Sequence, residues 1–300
     1  MLSETTVRSI RDRVLLLRSF PRTAVLRDES LILMAEHAKD RFYEKGALVM
    51  DEGRPVESLH MVIDGMIHVT REGKHVSNVD RGGGVGFLSV FSRDEQGVRA
   101  EAMEPTYTIE IPVPAMLDAY EEDFALTRNT LRIISSMVVE MRGNLPRDVG
   151  SDTEVDEGTY PQREPTLVER VLRFQTGPFS RANLEAIVEL ARATKSVRYD
   201  PGETIWAIGD PSTFWISTEC GRIRCRNEDG DEVRVGAGYV LGVMDSLSAE
   251  PRRFDAVAET VVVADHSNRE TFLNVLETHH QLAMEFIALL TQMMMKLQIK

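Results

Sequence analysis

Tyr239–Thr260 reads YVLGVMDSLSAEPRRFDAVAET. An apolar run ends at Gly242, and a short helix-like segment follows. Then come a polar turn, Pro251-Arg252-Arg253 and the start of a strand. Backbone N–H groups at the start of a helix, with an arginine held opposite, form a seat for one phosphate. The order of these parts makes the stretch a candidate phosphate-binding turn.

Working outward, the same punctuation occurs earlier in the chain. Gly202, Gly209, Gly221 and Gly242 repeat Gly46, Gly53, Gly65 and Gly86, since 202−46, 209−53, 221−65 and 242−86 are each 156. Glycine is placed where the backbone needs positive φ or close approach, so one shared interval implies one shared loop geometry. Past the cassette the interval is read as 154, pairing Thr260 with Thr106 and giving the first copy a spacer two residues longer.

Each copy has the same internal pattern. Residues 1–18 carry Val7, Ile10, Val14 and Leu17 at helical spacing, and a second helix is predicted over 28–39. From Phe42 short apolar runs alternate with turns every 8–12 residues, the mark of a sandwich or jelly roll. Asp64-Gly65 between two such runs predicts a hairpin. A helix over 117–142 closes the first copy, and one over 274–298 closes the second. Between them, 143–166 is rich in Pro, Gly and acid and reads as a linker. The expected organisation is an N-terminal helix (1–19), a first roll (20–142), the acidic linker (143–166) and a second roll (167–300), mainly β with flanking helices.

This arrangement resembles tandem cyclic-nucleotide-binding domains, as in kinase regulatory subunits, with single copies in catabolite-activator-type regulators. The family's cassette runs roughly Phe-Gly-Glu-Leu-Ala-Leu, a spacer, then Pro-Arg-x-Ala-Thr. The resemblance implies a β-jelly-roll of eight strands in each copy, followed by a long helix. It also implies ligand positions at Gly242, Val243, Met244, Asp245, Arg252, Arg253 and Phe254 in the second copy. In the first copy they fall at Gly86, Phe87, Leu88, Ser89, Arg99 and Ala100.

The lining departs from the family. Val243 and Phe87 stand where a glutamate accepts the ribose hydroxyl. A charged hydrogen bond contributes roughly 1.5–3 kcal/mol, on the order of ten- to a hundredfold in affinity. Asp245 places an acid beside the phosphate seat, whereas Ser89 keeps a small residue there. Arg252 keeps the arginine position. The first copy shows Val98 there, with Arg99 one step on and so turned to the other face of a strand. Phe254 fills space that a base or sugar needs, and Asp255 is expected to pair with Arg252 or Arg253.

The 300 residues carry a net charge of −13, which disfavours a nucleic-acid partner. No run of 18 apolar residues and no signal peptide is visible, so a cytoplasmic protein of bacterial type, without membrane association, is expected. Cys220 and Cys225 lack metal or redox spacing. His279-His280 and the pair His60 and His68 make no metal set, and no catalytic constellation is present. Leu282, Phe286, Leu289, Met293 and Leu297 form a stripe that suits a homodimer helix. No effector segment is read in the chain. The expectation is a non-enzymatic signalling adaptor or regulatory protein that acts through partner proteins. The alternative is a receptor for cyclic AMP, cyclic GMP or a related ligand through the second domain.

Overall fold

The computed structural model describes residues 8–20, 23–93, 97–147, 155–176 and 179–298. The start of the first expected helix (1–7) and part of the acidic stretch (148–154) lie outside them. The chain forms two compact units, residues 1–130 with 298–300 and residues 131–297.

The first unit opens with α1 (Ile10–Arg18), whose Ser9 and Asp12 make a capping box, and α2 (Asp28–His37). Eight strands follow: β1 (Lys39–Tyr43), β2 (Leu48–Met50), β3 (Ser58–Asp64), β4 (Ile67–Arg71), β5 (Lys74–Val79), β6 (Gly84–Val85), β7 (Arg99–Ala102) and β8 (Thr106–Pro112). The short α3 (Phe87–Ser92) lies between β6 and β7; α4 (Val113–Glu122) and α5 (Phe124–Met141) follow β8. Two four-stranded sheets, ordered β1-β8-β3-β6 and β2-β7-β4-β5, make a jelly roll. Along β8 burial alternates on either side of one shift of face, with Thr106 and Thr108 buried and then Ile109 and Ile111.

The second unit repeats this. After α6 (Leu167–Phe174) and α7 (Leu184–Arg192) come β9 (Lys195–Tyr199), β10 (Thr204–Trp206), β11 (Phe214–Cys220), β12 (Ile223–Asn227), β13 (Glu232–Val235) and β14 (Val240–Leu241). Then follow α8 (Val243–Ser248), β15 (Phe254–Ala258), β16 (Val262–Asn268), α9 (Arg269–Thr278) and α10 (His280–Gln298). The sheets are β14-β11-β16-β9 and β10-β15-β12-β13. Among the described residues no helix is long and apolar enough to cross a membrane.

Three sequence expectations are corrected. Asp64-Gly65 is not a hairpin: β3 and β4 belong to different sheets, and the turn carries the chain across the roll. Glycine is needed because a Cβ at Gly65 would lie 2.5 Å from Thr106 Oγ1, and one at Gly221 would lie 2.2 Å from the Val261 carbonyl oxygen. The true hairpin is β4–β5, where Arg71 pairs with Lys74. Each long closing helix is also broken, at Asp123 between α4 and α5 and at His279 between α9 and α10.

The third correction is the 154 interval. The ladders pair Ala100 with Met50 and Val69, and Ala256 with Trp206 and Cys225, so every partner is displaced by 156. Both cassette helices are six residues long, and their C-caps, Arg93 and Ala249, are both left-handed. The two copies therefore keep one interval throughout. Thr106 and Thr260 misled because their hydroxyls do the same work from different positions. Each accepts the first N–H after the crossover glycine, from Met66 (3.2 Å) and Arg222 (2.8 Å) respectively.

Candidate functional site

In the second roll Gly242 caps α8 in the left-handed conformation (φ 81°), turning the chain from β14 into the cassette helix. Arg252 lies opposite, but it is not a surface arginine: it is 1% exposed. Its guanidinium stacks on Trp206 at 3.9 Å and lies 5.1 Å from the Phe214 ring centre. Nη1 donates to the Gly242 carbonyl at 3.3 Å and Nη2 to the Phe214 carbonyl. Asp245 Oδ2 is 4.0 Å from Nη1. Burial lowers Arg252 to about 10, while the Asp245 carboxylate beside it favours its charged form. Burial pushes the Asp245 carboxyl up, with Arg252 opposing the rise. A cation in a desolvated aromatic box gains about 2 kcal/mol from the ring face. Its Nη1 and Nη2 thus donate to backbone carbonyls inside the protein, while its buried Nε has no hydrogen-bond partner.

Sequence reasoning paired Asp255 with Arg252 or Arg253; the structure does not. Asp255 Oδ1 accepts from the Ile208 N–H at 2.7 Å. Arg253 instead binds Glu250 and, at 2.9 Å, Ser136 Oγ on α5. Val243 and Phe254 are buried (6% and 1% exposed), and Phe254 packs edge-on to Trp206 at 5.7 Å. What remains of the site is a cavity of about 20 Å³, room for about one water. Gly242, Val243, Met244, Asp245 and Phe254 line it together with Leu145 and Pro146. Sequence reading missed Trp206, which faces Arg252 only through the β10–β15 pairing, and Leu145, which lies in the acidic stretch.

The first roll is lined differently. Gly86 again caps its helix with φ 97°. Ser89 is buried and its Oγ has no hydrogen-bond partner, while Phe87 packs on Phe91 at 4.4 Å and Leu88 is half-buried. With one interval throughout, position 96, a glutamine outside the described residues, matches Arg252, and Val98 matches Phe254. Val98 and Ala100 pack with Val62, Ile67, Val69 and Val85. Arg99 does turn outward, half-exposed, to Asp51 (3.4 Å) and Glu101 (3.3 Å). Among the described residues neither roll brings together the glutamate, small residue and arginine of the family cassette.

The remaining candidates resolve simply. Leu282 and Phe286 of the expected dimer stripe are core residues. Phe286 packs at 5.4 Å on both Phe179 and Phe272, whereas Leu289, Met293 and Leu297 are half-buried. Burial lowers His60 to about 4, and His279 pairs with Glu189 at 2.7 Å. Among the described residues no cluster of His, Cys, Asp or Glu could hold a metal ion.

The cyclic nucleotide-binding domain pattern matches residues 40–123 and 196–279, two segments again 156 apart (196−40, 279−123). Among solved structures the chain is similar to the regulatory subunit of a cAMP-independent protein kinase A from Trypanosoma brucei. That match has 18% identity, covers 93% of this chain and 91% of that one, and has a TM-score of 0.37. The Trypanosoma cruzi regulatory subunit bound to guanosine matches at 16%, covering 93% and 89% with a TM-score of 0.37. The sensor domain of the regulator DNR from Pseudomonas aeruginosa matches at 18%, covering 43% and 95% with a TM-score of 0.40. No curated protein sequence matches the chain. Two matched segments spanning more than half of the residues, each on its own jelly roll, make this chain a member of the cyclic nucleotide-binding domain family with two such domains in tandem.

Proposed function

We propose that this protein is a non-enzymatic regulatory adaptor whose two cyclic-nucleotide-binding-type domains have been closed by their own side chains and act by contacting partner proteins. One observation carries the reading. Arg252, the residue expected to grip a cyclic phosphate, is consumed inside the second roll by Trp206, Gly242 and Phe214, with Asp245 supplying the anion. A phosphate brought to this seat meets the buried Asp245 and an arginine whose Nη1 and Nη2 already donate to backbone carbonyls, and like charges at such range repel strongly. Phe254 and Val243 leave no space for a sugar. The first roll supports the same reading through its valine-filled interior. A cytoplasmic homodimer, held through Leu289, Met293 and Leu297, belongs to this proposal.

Titration calorimetry with cyclic AMP, cyclic GMP, cyclic dinucleotides and nucleosides tests it, run beside light scattering for the dimer mass. The expected result is no heat with any of them at ligand concentrations to 1 mM (about −4 kcal/mol). Micromolar binding that disappears in Arg252→Ala, with the fold retained, would establish the receptor reading in its place. The mass of a single chain would remove the dimer.

A further inference from the structure

The second roll contains a residue that its own strands do not supply. Leu145 comes just after α5, in the stretch whose composition reads as a linker, yet it is fully buried. It shares one apolar core with Ile223, Cys225, Val235 and Phe254. The backbone is shaped to bring it there. Gly143 (φ 68°) and Asn144 (φ 61°) are both left-handed, which reverses the chain at the end of α5. Asn144 N–H closes that reversal on the Val139 carbonyl at 3.0 Å.

The roll holds the reversed segment by its carbonyls. Asn227 Nδ2 donates to the Gly143 carbonyl at 2.9 Å, and Tyr239 Oη donates to the Pro146 carbonyl at 2.7 Å. The cassette holds it too. Arg253, directly after Arg252, reaches Ser136 Oγ at 2.9 Å and Asn144 Oδ1 at 3.4 Å, and Ser136 Oγ donates to Glu250 at 2.8 Å. The residual cavity lies between this segment (Val139, Leu145, Pro146) and the cassette (Gly242–Asp245).

From this geometry we infer that residues 143–146 are an intramolecular plug, with Leu145 seated in the mouth of the second roll and able to withdraw without unfolding it. The seat is a reversal held by a few hydrogen bonds at one end of a helix, not a strand of the ladder. Its removal leaves both sheets of the roll paired. Local opening of such a segment costs less than global unfolding. The second site is thus shut reversibly, by a piece of chain that also ends α5. The inference rests on the closed-domain reading above and adds the means by which that site is regulated.

The two cysteines read the motion. Cys225 shares the plug's core, and Cys220, on β11, does not belong to it. Both are buried, and burial raises both thiols, so alkylation of the native protein is slow. Labelling of the full chain with N-ethylmaleimide, resolved by peptide mass spectrometry, gives the rate at each. Leu145→Ala is expected to raise the Cys225 rate at least tenfold relative to Cys220. Val262→Ala, a truncation in the same core away from the plug, is expected to leave that ratio unchanged. If Leu145→Ala does not fold, Tyr239→Phe, which removes only the bond to Pro146, is expected to raise the ratio as well. A ratio that stays at the wild-type value in the folded variants, or that rises equally in Val262→Ala, overturns the plug. Labelling needs no ligand, so nucleotide binding in the calorimeter would defeat the closed-domain reading without deciding this result.

Discussion

Arg252→Ala is expected to destabilise the second unit by about 3–5 kcal/mol, because removing one partner of a buried ion pair strands the other. The stranded group is Asp245, 4% exposed and 4.0 Å from the guanidinium. The carbonyls of Gly242 and Phe214 lose their donors in the same step. Urea unfolding followed by tryptophan fluorescence measures the change. Trp206 and Trp215, the only two tryptophans, are both in this unit.

The pH dependence separates stranded charge from simple loss of packing. Burial raises Asp245 in the folded protein above its unfolded value of 3.8. Between those two values the folded state binds more protons, so stability rises as pH falls. Without Arg252 that upward shift grows, and the deficit of the variant should shrink from pH 7 toward pH 4. Adding Asp245→Ala should recover part of the loss at pH 7, since a buried pair replaced on both sides costs less than one broken. An arginine kept only for a ligand predicts the opposite: an Arg252→Ala protein as stable as wild type at every pH.

The second large effect belongs to Gly242→Ala, expected to cost about 2–4 kcal/mol. A non-glycine residue at φ 81° costs about 1–2 kcal/mol. The added Cβ would also lie 2.6 Å from Arg252 Nη1 and 3.0 Å from Trp206 Cη2. The guanidinium is boxed and has nowhere to move, so up to about 2 kcal/mol of ring-face attraction is put at risk. Gly209 is the control: its φ is 86° with nothing within 4 Å of a Cβ, so Gly209→Ala should show the strain alone. In an Arg252→Ala background the cost of Gly242→Ala should fall toward that of Gly209→Ala, a coupling of the kind neighbouring residues show. Equal costs for Gly242→Ala and Gly209→Ala in the wild-type background would mean that the cassette is loosely packed around its arginine.

In the proposed reading, these two residues keep the outline of the cassette while its role changes. The glycine still turns the chain and the arginine still stands ten residues on. A family arginine must leave donors free for a ligand. Here Trp206 and Phe214 lie against its guanidinium, and two backbone carbonyls accept from Nη1 and Nη2. In the first roll the glycine position leads into Phe87 and the buried Ser89, the arginine position is a glutamine (96) outside the described residues, and Arg99, which matches Asp255, turns out to Asp51 and Glu101.

The duplication, the jelly rolls and the glycine that opens each cassette were legible in the sequence because they rest on local signals, whereas the first copy's arginine position was read two residues too late. Positive-φ glycines, short apolar runs and capped helices need only neighbours along the chain to be recognised. At Val243, Asp245 and Phe254 the sequence shows a residue type that differs in size or charge from the family pattern. What only tertiary structure decided depends on partners distant in sequence. The crossing at Asp64-Gly65 looks like a hairpin until the sheets are assembled. Arg252 could not be read as buried from the pattern around it, because the rings that box it lie on β10 and β11, 38 to 46 residues away (252−214, 252−206). Leu145 could not be read as core at all, since an isolated leucine among Pro, Gly and acid has no periodicity, and its burial comes entirely from a backbone reversal and a roll that begins fifty residues later.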